Sequence, residues 1–528
     1  MRQFFALTTL CLSLSALTPA AFAGEKVWIS LGDAAYAKLL KHRPAVRSVA
    51  SVLSAPSEDQ SLSTAVAPEG IHLVQVDEEV LASLSHSIHE ELRRCGGYMY
   101  HSTEAAGRAS LTRHSLPASA RSVAAAAVAV TRPSYVIDQQ AVVTPILSQM
   151  QASNIGQTIV DLSGYTNRYY TSSSGVNASN WLRQRWLTLA GGRSDITVEQ
   201  FTHAGWAQKS VIATIKGTDN GSEVIVLGAH LDSINQSGGS AETMRAPGAD
   251  DDASGVASLT EVLRALVSAN YKPRRTIKLM AYAAEEVGLR GSQEIAASYA
   301  AANTNVVGVM QLDMTNYKGA ANDIYIFTDY TDSLQNQFLT SLIQTYLPTL
   351  KIGSDRCGYG CSDHASWNAQ GYYASLPFEA SFSADNPYIH TANDTYANMG
   401  SQADHSLKFA RLAAAYAVEL GSDGPGTAPA DRTENFSGSL TRNQTRSFGP
   451  FKVAAGGSLT ASTTGTGDID LYARRSAVPT TTTYTCKSDG SSSTEACTVS
   501  MTTAGDVYVL LSGYAAGNYQ LKVVYKPQ

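Results

Sequence analysis

Four nearly continuous apolar runs in the middle of the chain constrain its fold more than any other feature. They are SVIATIKG, EVIVLGAHLDS, TIKLMAYAAEE and VVGVMQLDM, and a stretch with helical periodicity follows each of the last three. In the first of these helices, Val256, Leu259 and Leu263 fall on one face. Strands that are apolar on both sides and joined by amphipathic helices are typical of a sheet covered by helices on both faces. We therefore predict an α/β fold with a mainly parallel, twisted sheet for residues 135–421.

The regions outside this fold differ from it in composition. Residues 24–134 are rich in Ala, Ser and Val, contain helical-looking stretches and end in the low-complexity run SARSVAAAAVAVTRPS. Arginine among small residues favours proteolytic cleavage, so we predict a pro-segment, with a small permanent N-terminal domain as the alternative. Residues 422–432 are rich in Gly and Pro and predict a linker. Residues 433–528 lose helical periodicity and predict a small β-sandwich.

The first 23 residues have the pattern of an export signal. Arg2 precedes an apolar run, and Ala21-Phe22-Ala23 forms a small-x-small cleavage site before Gly24. The run is too short for a membrane anchor, and no later stretch approaches about 20 apolar residues. The net charge of −6 and the charged content of 16% do not favour nucleic acid as a partner. We expect a secreted protein that is monomeric and reaches the outside through the periplasm if its source is Gram-negative.

Four of the six cysteines form two close pairs, Cys357/Cys361 and Cys486/Cys497. Close pairs in an exported protein are typical of disulfide bonds. Cys357 and Cys361 could instead hold a metal ion, but that site would need two further soft ligands, which the sequence does not supply. We therefore predict two disulfides.

Polar residues cluster where the apolar strands end or in loops that can reach the same edge. Because the carboxyl ends of strands in such a sheet converge on one crevice, residues far apart in sequence are predicted to meet there. The candidates are His230, Asp232, Asp250, Glu285, Glu286, Asp313 and His390.

Two imidazoles and several carboxylates in one crevice require a positive counter-charge. Arg245 and Arg290, the nearest cations in sequence, could neutralise only part of it. Mixed His and carboxylate ligation suits zinc, although Mn and Co are alternatives. Five candidate ligands are enough for two metal ions that share a carboxylate, and two ions about 3.5–4 Å apart can activate one water together. The run DDD alone would usually be a helix cap, but its occurrence with the other motifs favours a metal site.

Six motifs occur in order, namely GAHLDS, APGADDDASG, AYAAEEVGLRGS, MQLDMTNY, CGYGCSDHASW and NPYIHTANDT. This set resembles the secreted bacterial leucyl aminopeptidases, two-zinc exopeptidases with an α/β fold, from about residue 139 to 400. The motif GTGDIDLY in the tail resembles the bacterial pre-peptidase C-terminal domain over a shorter stretch. The resemblance implies a zinc-dependent hydrolase with two Zn²⁺ per catalytic domain. It would be made as a zymogen and would release large apolar residues from peptide and protein N-termini.

The resemblance also implies a role for each candidate. Asp250 would bridge the two zinc ions, and Asp251 and Asp252 would serve the loop and the helix start. Glu285 would be the general base that takes a proton from zinc-bound water, and Asp232 would hold the ring of His230. The remaining ligands would be His230 and Asp313 on one ion, and Glu286 and His390 on the other.

An apolar pocket for the N-terminal side chain is implied by the same resemblance, although the matching residues could also be ordinary core. Tyr359 is the matching residue that is hardest to explain as ordinary core. It lies in a short disulfide loop, which is stiff and can present the phenol group of Tyr359 to a carbonyl group. Asp385 stands where the family commonly carries an aromatic residue, which could widen the pocket or admit basic residues. The matching residues are Met314, Phe327, Cys357, Tyr359, Cys361, Leu376, Phe378, Phe382 and Ile389.

Three other functions remain open at this stage. A carboxypeptidase of the same fold would need a cation for the substrate carboxylate, and Arg290 is expected on a helix outside the crevice. A glutaminyl cyclase uses one metal ion and would not need the full ligand set. A non-catalytic binding protein should have lost Glu285 or a ligand. We expect His203 and His405, which have no strand-end motif beside them, at the surface.

Overall fold

A computed structural model describes three units of the chain. The segments between these units are not among the residues that the structure describes. The N-terminal unit comprises the described residues between 25 and 114, the central unit residues 130–423, and the C-terminal unit those between 431 and 527. The predicted export signal, the low-complexity run and most of the predicted linker lie outside the described residues. The structure describes residues 25–53, 70–92, 96–114, 130–423, 431–454, 457–501 and 505–527.

The N-terminal unit is an antiparallel sheet packed against helices; its sequence had indicated helical stretches, and its strands were not predicted. Its strands lie in the order β2-β3-β1-β4. Ile29 and Leu31 of the first strand are fully buried against Leu39 and Ile88 of the helices. The elements are β1 (Lys26–Gly32), α1 (Asp33–His42), β2 (Ser48–Leu53), β3 (Gly70–Asp77), α2 (Val80–Leu92), β4 (Met99–His101) and α3 (Glu104–His114).

The central unit contains a six-stranded sheet with helices on both faces, which confirms the predicted fold class. Its order is β12-β9-β7-β8-β6-β5, and the four strands from β12 to β8 are parallel. At the other edge, β6 runs antiparallel to both β8 and β5, so the sheet is mixed there. The strands are β5 (Ile196–Phe201), β6 (Ser210–Ile215), β7 (Asn220–His230), β8 (Arg275–Tyr282), β9 (Asn305–Gln311) and β12 (Ala374–Ser375).

Alternate residues of β7 face the two helical layers, which explains its continuous apolar run. Ile225 and Leu227 join the cluster that contains α7 and α11, whereas Val224 and Val226 join the cluster on the opposite face with α8 and α10. The helices are α4 (Gln140–Ser148), α5 (Ala152–Ser163), α6 (Ser173–Ala190), α7 (Ala253–Ser268), α8 (Arg290–Ala301), α9 (Ser333–Tyr346), α10 (His364–Ala369) and α11 (Asp404–Ser422).

A second, three-stranded sheet of the central unit was not predicted. It consists of β10 (Ile324–Phe327), which pairs in parallel with β11 (Ile352–Asp355) and antiparallel with β13 (Pro377–Phe378). A disulfide between Cys357 and Cys361 closes the loop after β11. Among the described residues, no helix has the length and apolar character required to cross a bilayer.

The C-terminal unit is the predicted β-sandwich. Its two four-stranded sheets have the orders β14-β21-β16-β19 and β15-β20-β17-β18, and every pairing is antiparallel. The second predicted disulfide, Cys486–Cys497, joins β18 of one sheet to β19 of the other. The strands are β14 (Arg432–Leu440), β15 (Thr445–Val453), β16 (Ser458–Gly465), β17 (Asp468–Arg475), β18 (Cys486–Ser488), β19 (Glu495–Ser500), β20 (Gly505–Ala515) and β21 (Gly517–Tyr525).

Candidate metal centre

Most of the predicted site residues meet at one edge of the central sheet. Because β7, β8 and β9 are parallel, their carboxyl ends lie side by side. His230 is the last residue of β7, Glu285 and Glu286 follow β8, and Asp313 follows β9. All four of these residues are at most 5% exposed.

Two groups of potential metal ligands share one carboxylate, that of Asp251. In the first group, His230 Nε2 lies 2.9 Å from Asp251 Oδ1 and 3.5 Å from Asp313 Oδ1. In the second group, His390 Nε2 lies 3.1 Å from Asp251 Oδ2 and 2.8 Å from Glu286 Oε2. Asp251 therefore presents one oxygen to each imidazole, as a carboxylate shared by two metal ions would.

Asp250, the predicted bridging residue, belongs to neither ligand group among the described residues, so the prediction is corrected by one position. Its Oδ1 accepts the backbone N–H of Asn316 at 2.9 Å, and its carboxyl group contacts Glu379. The backbone N–H groups of Asp250 and Asp251 donate to Asp394 at 3.1 and 3.0 Å. These bonds fix the loop so that Asp251, and not Asp250, faces the imidazoles.

Asp252, the third aspartate of the run, caps α7 as expected. Its Oδ1 accepts the N–H of Gly255 at 2.8 Å and that of Met314 at 3.1 Å. Its Oδ2 accepts the backbone N–H of His230 at 2.9 Å. One buried carboxylate thus joins the helix start to the ends of β7 and β9.

Both imidazoles are held through their Nδ1 atoms. His230 Nδ1 lies 3.1 Å from the backbone oxygen of Asp232, so an N–H there can donate and leave the Nε2 lone pair to a metal ion. His390 Nδ1 lies 3.2 Å from the side-chain amide of Gln236. The Asp232 carboxylate, predicted to hold His230, is 3.6 Å from Nδ1. It also accepts the backbone N–H groups of Glu285 and Glu286 at 3.0 and 3.2 Å.

The buried carboxylates of the two candidate ligand groups give the site a strongly negative electrostatic potential. Burial lowers the pKa of His390, but Glu286 and Asp251 outweigh burial and raise this pKa to about 10. Burial is also outweighed at His230, where Asp313 is the main cause of a pKa well above the usual value. Burial raises the pKa of Glu286 to about 7. Each raised pKa favours the protonated form and so reduces the negative charge of the site. A bound cation would reduce that charge in the same way, so the centre is suited to a cation.

The residues present fit a divalent metal such as zinc. Each group offers three nitrogen or oxygen ligands, the number that catalytic zinc sites use while keeping a place for water or substrate. Glu286 Oε1 and Asp313 Oδ1 are buried and accept no hydrogen bond from the part of the chain that is described. A buried oxygen without a donor is destabilising by about 1–3 kcal/mol, and a cation would remove that cost.

Glu285 lies beside the cluster without belonging to either ligand group in the described residues. Burial raises the pKa of its carboxyl group well above the usual value, and the charges of Asp363 and Asp313 add to the effect, while His230 opposes it. A carboxyl group with a raised pKa next to a reacting centre is suited to proton transfer.

Sequence reasoning missed the groups that hold the ligand loops. Arg168 is fully buried and donates to the backbone oxygens of Leu231 at 2.7 Å and Gly248 at 2.8 Å. Asp394 holds the aspartate run and was present, unused, in the motif NPYIHTANDT. No local pattern marks Arg168, because its partners are backbone groups distant in sequence.

The predicted pocket residues lie in one apolar cluster next to the centre. Ile389 precedes the potential ligand His390, and Met314 follows the potential ligand Asp313, so the apolar cluster adjoins both candidate ligand groups. Tyr325 of β10 belongs to the same cluster and was not predicted. The predicted members are Met314, Phe327, Cys357, Tyr359, Cys361, Leu376, Phe378, Phe382 and Ile389.

A buried carboxylate supports the disulfide loop that carries Tyr359. Asp329 accepts the N–H of Cys357 at 3.2 Å and that of Gly358 at 2.6 Å. The Tyr359 ring makes an edge contact with Phe382 at 6.1 Å between ring centroids. The loop is therefore anchored at its start and packed at its tip.

His203 and His405 are buried, so their predicted surface location is wrong. The two ring nitrogens of His203 lie 2.7 Å from Glu294 Oε2 and from Ser210 Oγ. His405 Nε2 lies 3.2 Å from the backbone oxygen of Glu379. Both rings have polar partners outside the metal centre, which allows them to be buried without a strand-end motif.

The N-terminal unit lies over the candidate metal centre. The ring of His89 in α2 lies 5.1 Å from that of His390, and the Gln236 amide donates to Ser85 of α2 at 2.8 Å. Two cavities of about 370 and 590 Å³ lie between α2 and the central unit.

A second set of contacts joins the N-terminal unit to the loop after Glu286. Glu78 forms an ion pair with Arg290 at 2.7 Å, and the backbone N–H of Tyr100 donates to the Gly288 oxygen at 3.1 Å. Both partners in the central unit lie within four residues of Glu286. The contacts thus hold the N-terminal unit beside a ligand-bearing loop.

The chain is similar to known proteins in sequence and in fold. Residues 210–417 match Peptidase family M28, and residues 449–513 match the Bacterial pre-peptidase C-terminal domain. Leucine aminopeptidase 1 of Coccidioides posadasii is 35% identical over 298 residues, which cover 54% of this chain and 75% of the relative. The crystal structure of LapB from Legionella pneumophila is 29% identical, with a TM-score of 0.59 over 76% of this chain and 100% of that chain.

The LapA aminopeptidase of the same organism has the same identity of 29% and TM-score of 0.59, over 76% of this chain and 99% of that one. The match to Peptidase family M28 covers residues 210–417, which include the strand ends, the aspartate run and the loop that carries His390. The chain belongs to peptidase family M28, and its C-terminal unit carries a bacterial pre-peptidase C-terminal domain.

Proposed function

We propose that the protein is a secreted, zinc-dependent aminopeptidase that removes large apolar residues from the N-termini of peptides. The observation that carries the proposal is Asp251, whose two oxygens face two imidazoles beside an apolar pocket. Relatives named leucine aminopeptidases support the reaction. Two Zn²⁺ ions would supply Lewis acidity to the attacking water and the scissile carbonyl. The residues that would hold them are His230, Asp251 and Asp313 for one, and Asp251, Glu286 and His390 for the other.

Glu285 would carry the proton in this reaction. It would accept a proton from the attacking water and deliver it to the nitrogen of the leaving amine, which returns the side chain to its carboxylate form. Asp232 would keep Glu285 in place, because its Oδ1 accepts the Glu285 backbone N–H at 3.0 Å. The hydroxyl group of Tyr359, which the disulfide loop holds in place, would donate a hydrogen bond to the carbonyl oxygen of the substrate.

The N-terminal unit would act as a pro-segment that keeps the enzyme latent. It covers the centre with α2, and its contacts with Arg290 and Gln236 hold it there. Proteolysis between the N-terminal and central units would expose the crevice. The predicted export signal and the two disulfides support activation after secretion, in an oxidising compartment.

The test is hydrolysis of amino-acid p-nitroanilides by the full chain, folded with zinc and then treated by limited proteolysis. We expect leucine p-nitroanilide to be hydrolysed, N-acetyl-leucine p-nitroanilide to be stable, and a chelator to abolish the activity. Glu285→Ala should lower kcat by about 10²–10⁴-fold with unchanged zinc content, because it removes a general base and no ligand. Glu199→Ala, at an exposed glutamate of β5, is the matched control.

The other functions predict different results. A carboxypeptidase would cleave N-blocked substrates with a free C-terminus, and a glutaminyl cyclase would release ammonia from N-terminal glutamine. A zinc-loaded protein that hydrolyses no N-terminal residue after proteolysis would be a binding protein. Any of these results would replace the aminopeptidase proposal.

A further inference from the structure

Asp385 places a carboxyl group on the wall of the cavity between α2 and the central unit. This cavity of about 590 Å³ is also lined by Phe382 and Ile389, both members of the apolar cluster beside the metal centre. Ile389 is adjacent in sequence to the ligand His390. Of the described central-unit residues that line this cavity, Asp385 is the acidic one.

The Asp385 carboxylate lacks a cationic partner. Among the described residues, no side chain forms an ion pair or hydrogen bond with it, and no lysine or arginine lines the cavity. Burial raises the pKa of Asp385 to about 8, and the charges of Asp250 and Asp251 add to that rise, while His390 opposes it. The ionised form is thus incompletely compensated, and a cation that entered the cavity would stabilise it.

Glu90 and His89 of α2 line the opposite wall of the cavity. They belong to the N-terminal unit and would leave with it. After their departure the pocket would present an apolar interior and one carboxylate at its edge. A side chain with a long apolar stem and a terminal positive charge matches both parts of that surface.

We propose that Asp385 extends the specificity of the pocket to peptides that begin with lysine or arginine. This proposal rests on the proposed aminopeptidase function. The methylene groups of the N-terminal side chain would pack against Phe382 and Ile389, and the ammonium or guanidinium group would form an ion pair with Asp385. The uncharged residue of the same length, norleucine, would occupy the pocket without that pair.

The experiment compares lysine and norleucine p-nitroanilides with the zinc-loaded full chain after limited proteolysis. We expect the wild-type protein to have a higher kcat/KM for lysine than for norleucine, and the excess to decrease at high salt. Asp385→Asn should lower the lysine-to-norleucine ratio by roughly 10- to 100-fold, since a hydrogen bond between charged groups is lost. Its activity on norleucine should change by less than about threefold. Asp404→Asn, at an exposed aspartate of α11, is the matched control.

Three results would overturn the assignment. A wild-type preference for norleucine over lysine would show that the carboxylate does not attract the side chain. An unchanged ratio in Asp385→Asn would place the lysine side chain elsewhere. An equal loss on both substrates would mean that Asp385 binds the α-amine common to them. If leucine, norleucine and lysine substrates are all stable in the wild type, the aminopeptidase proposal itself fails.

Discussion

At the scale of single residues, Asp250 and Asp251 have different surroundings although they are adjacent and chemically identical. Asp251 lies between two imidazoles, whereas Asp250 accepts a backbone N–H from Asn316. Asp251→Asn should lower zinc affinity at least about tenfold and kcat/KM at least about a hundredfold, because a charged shared ligand is lost. Equilibrium dialysis against zinc with elemental analysis, followed by the leucine p-nitroanilide assay, measures both effects.

Asp250→Asn is the matched comparison, since it keeps an oxygen that can accept the Asn316 N–H. We expect its zinc affinity to remain within about threefold of the wild type, as the changed group is outside the ligand groups. Loss of zinc in Asp250→Asn together with retention in Asp251→Asn would return the bridging role to Asp250.

Sequence reasoning identifies the ligand-bearing segments but not the orientation of every side chain. His230, Glu286, Asp313 and His390 were predicted because each lies at a strand end or in a loop with a distinctive motif. The aspartate run contains three identical side chains, and only hydrogen bonds from distant residues decide which one faces the histidines. The bond from the Asp251 backbone to Asp394 spans 143 residues and has no local signal.

At the scale of elements, the disulfide loop after β11 depends on a carboxylate that precedes it by 28 residues. Asp329→Asn would keep one acceptor for the loop N–H groups of Cys357 and Gly358 and lose the negative charge. We expect KM for leucine p-nitroanilide to rise roughly 3- to 10-fold, since such hydrogen bonds contribute about 1–2 kcal/mol and fix the loop that carries Tyr359. Steady-state kinetics with parallel zinc analysis is the measurement.

Zinc content should be unchanged in Asp329→Asn, because the loop contains no ligand. Replacing both Cys357 and Cys361 by serine should raise KM in the same direction, since it removes the other constraint on the loop. An unchanged KM in both variants would show that the loop does not contact the substrate.

Elements with long apolar runs were predicted well, and short or half-exposed ones were not. The strands β7, β8 and β9 are apolar on both faces because helices cover both, and this environment produces a recognisable run. The three-stranded sheet around β10 has strands of two to four residues. Such strands are too short to show a recognisable pattern of apolar and polar residues. In the N-terminal unit, the alternation in GIHLVQVD of β3 was present but not used.

At the scale of the whole molecule, each of the three units has an apolar core of its own, and a further buried cluster belongs to both the N-terminal and the central unit. The N-terminal and central units make polar contacts around Arg290 and Gln236 and a ring contact at His390. They also share a buried apolar cluster, in which Leu73 and Met99 of the first unit pack with Leu289 of the second. The exposed polar bonds contribute little individually, whereas burial of the shared apolar cluster stabilises the interface more strongly. Release of the N-terminal unit would therefore expose this cluster to water as well as break the polar bonds.

The proposed latency predicts an effect of a substitution in the N-terminal unit alone. Glu78→Ala removes the ion pair with Arg290, and since Glu78 is 41% exposed, the expected loss is below about 1 kcal/mol. The uncut chain should then gain up to about fivefold in leucine p-nitroanilide activity, while the proteolysed enzyme stays unchanged because Glu78 has been removed from it. Glu79→Ala, at the exposed neighbour, should leave both activities as they are. Equal activity of the uncut and proteolysed wild-type proteins would show that α2 does not block the site, and the N-terminal unit would then be a permanent domain.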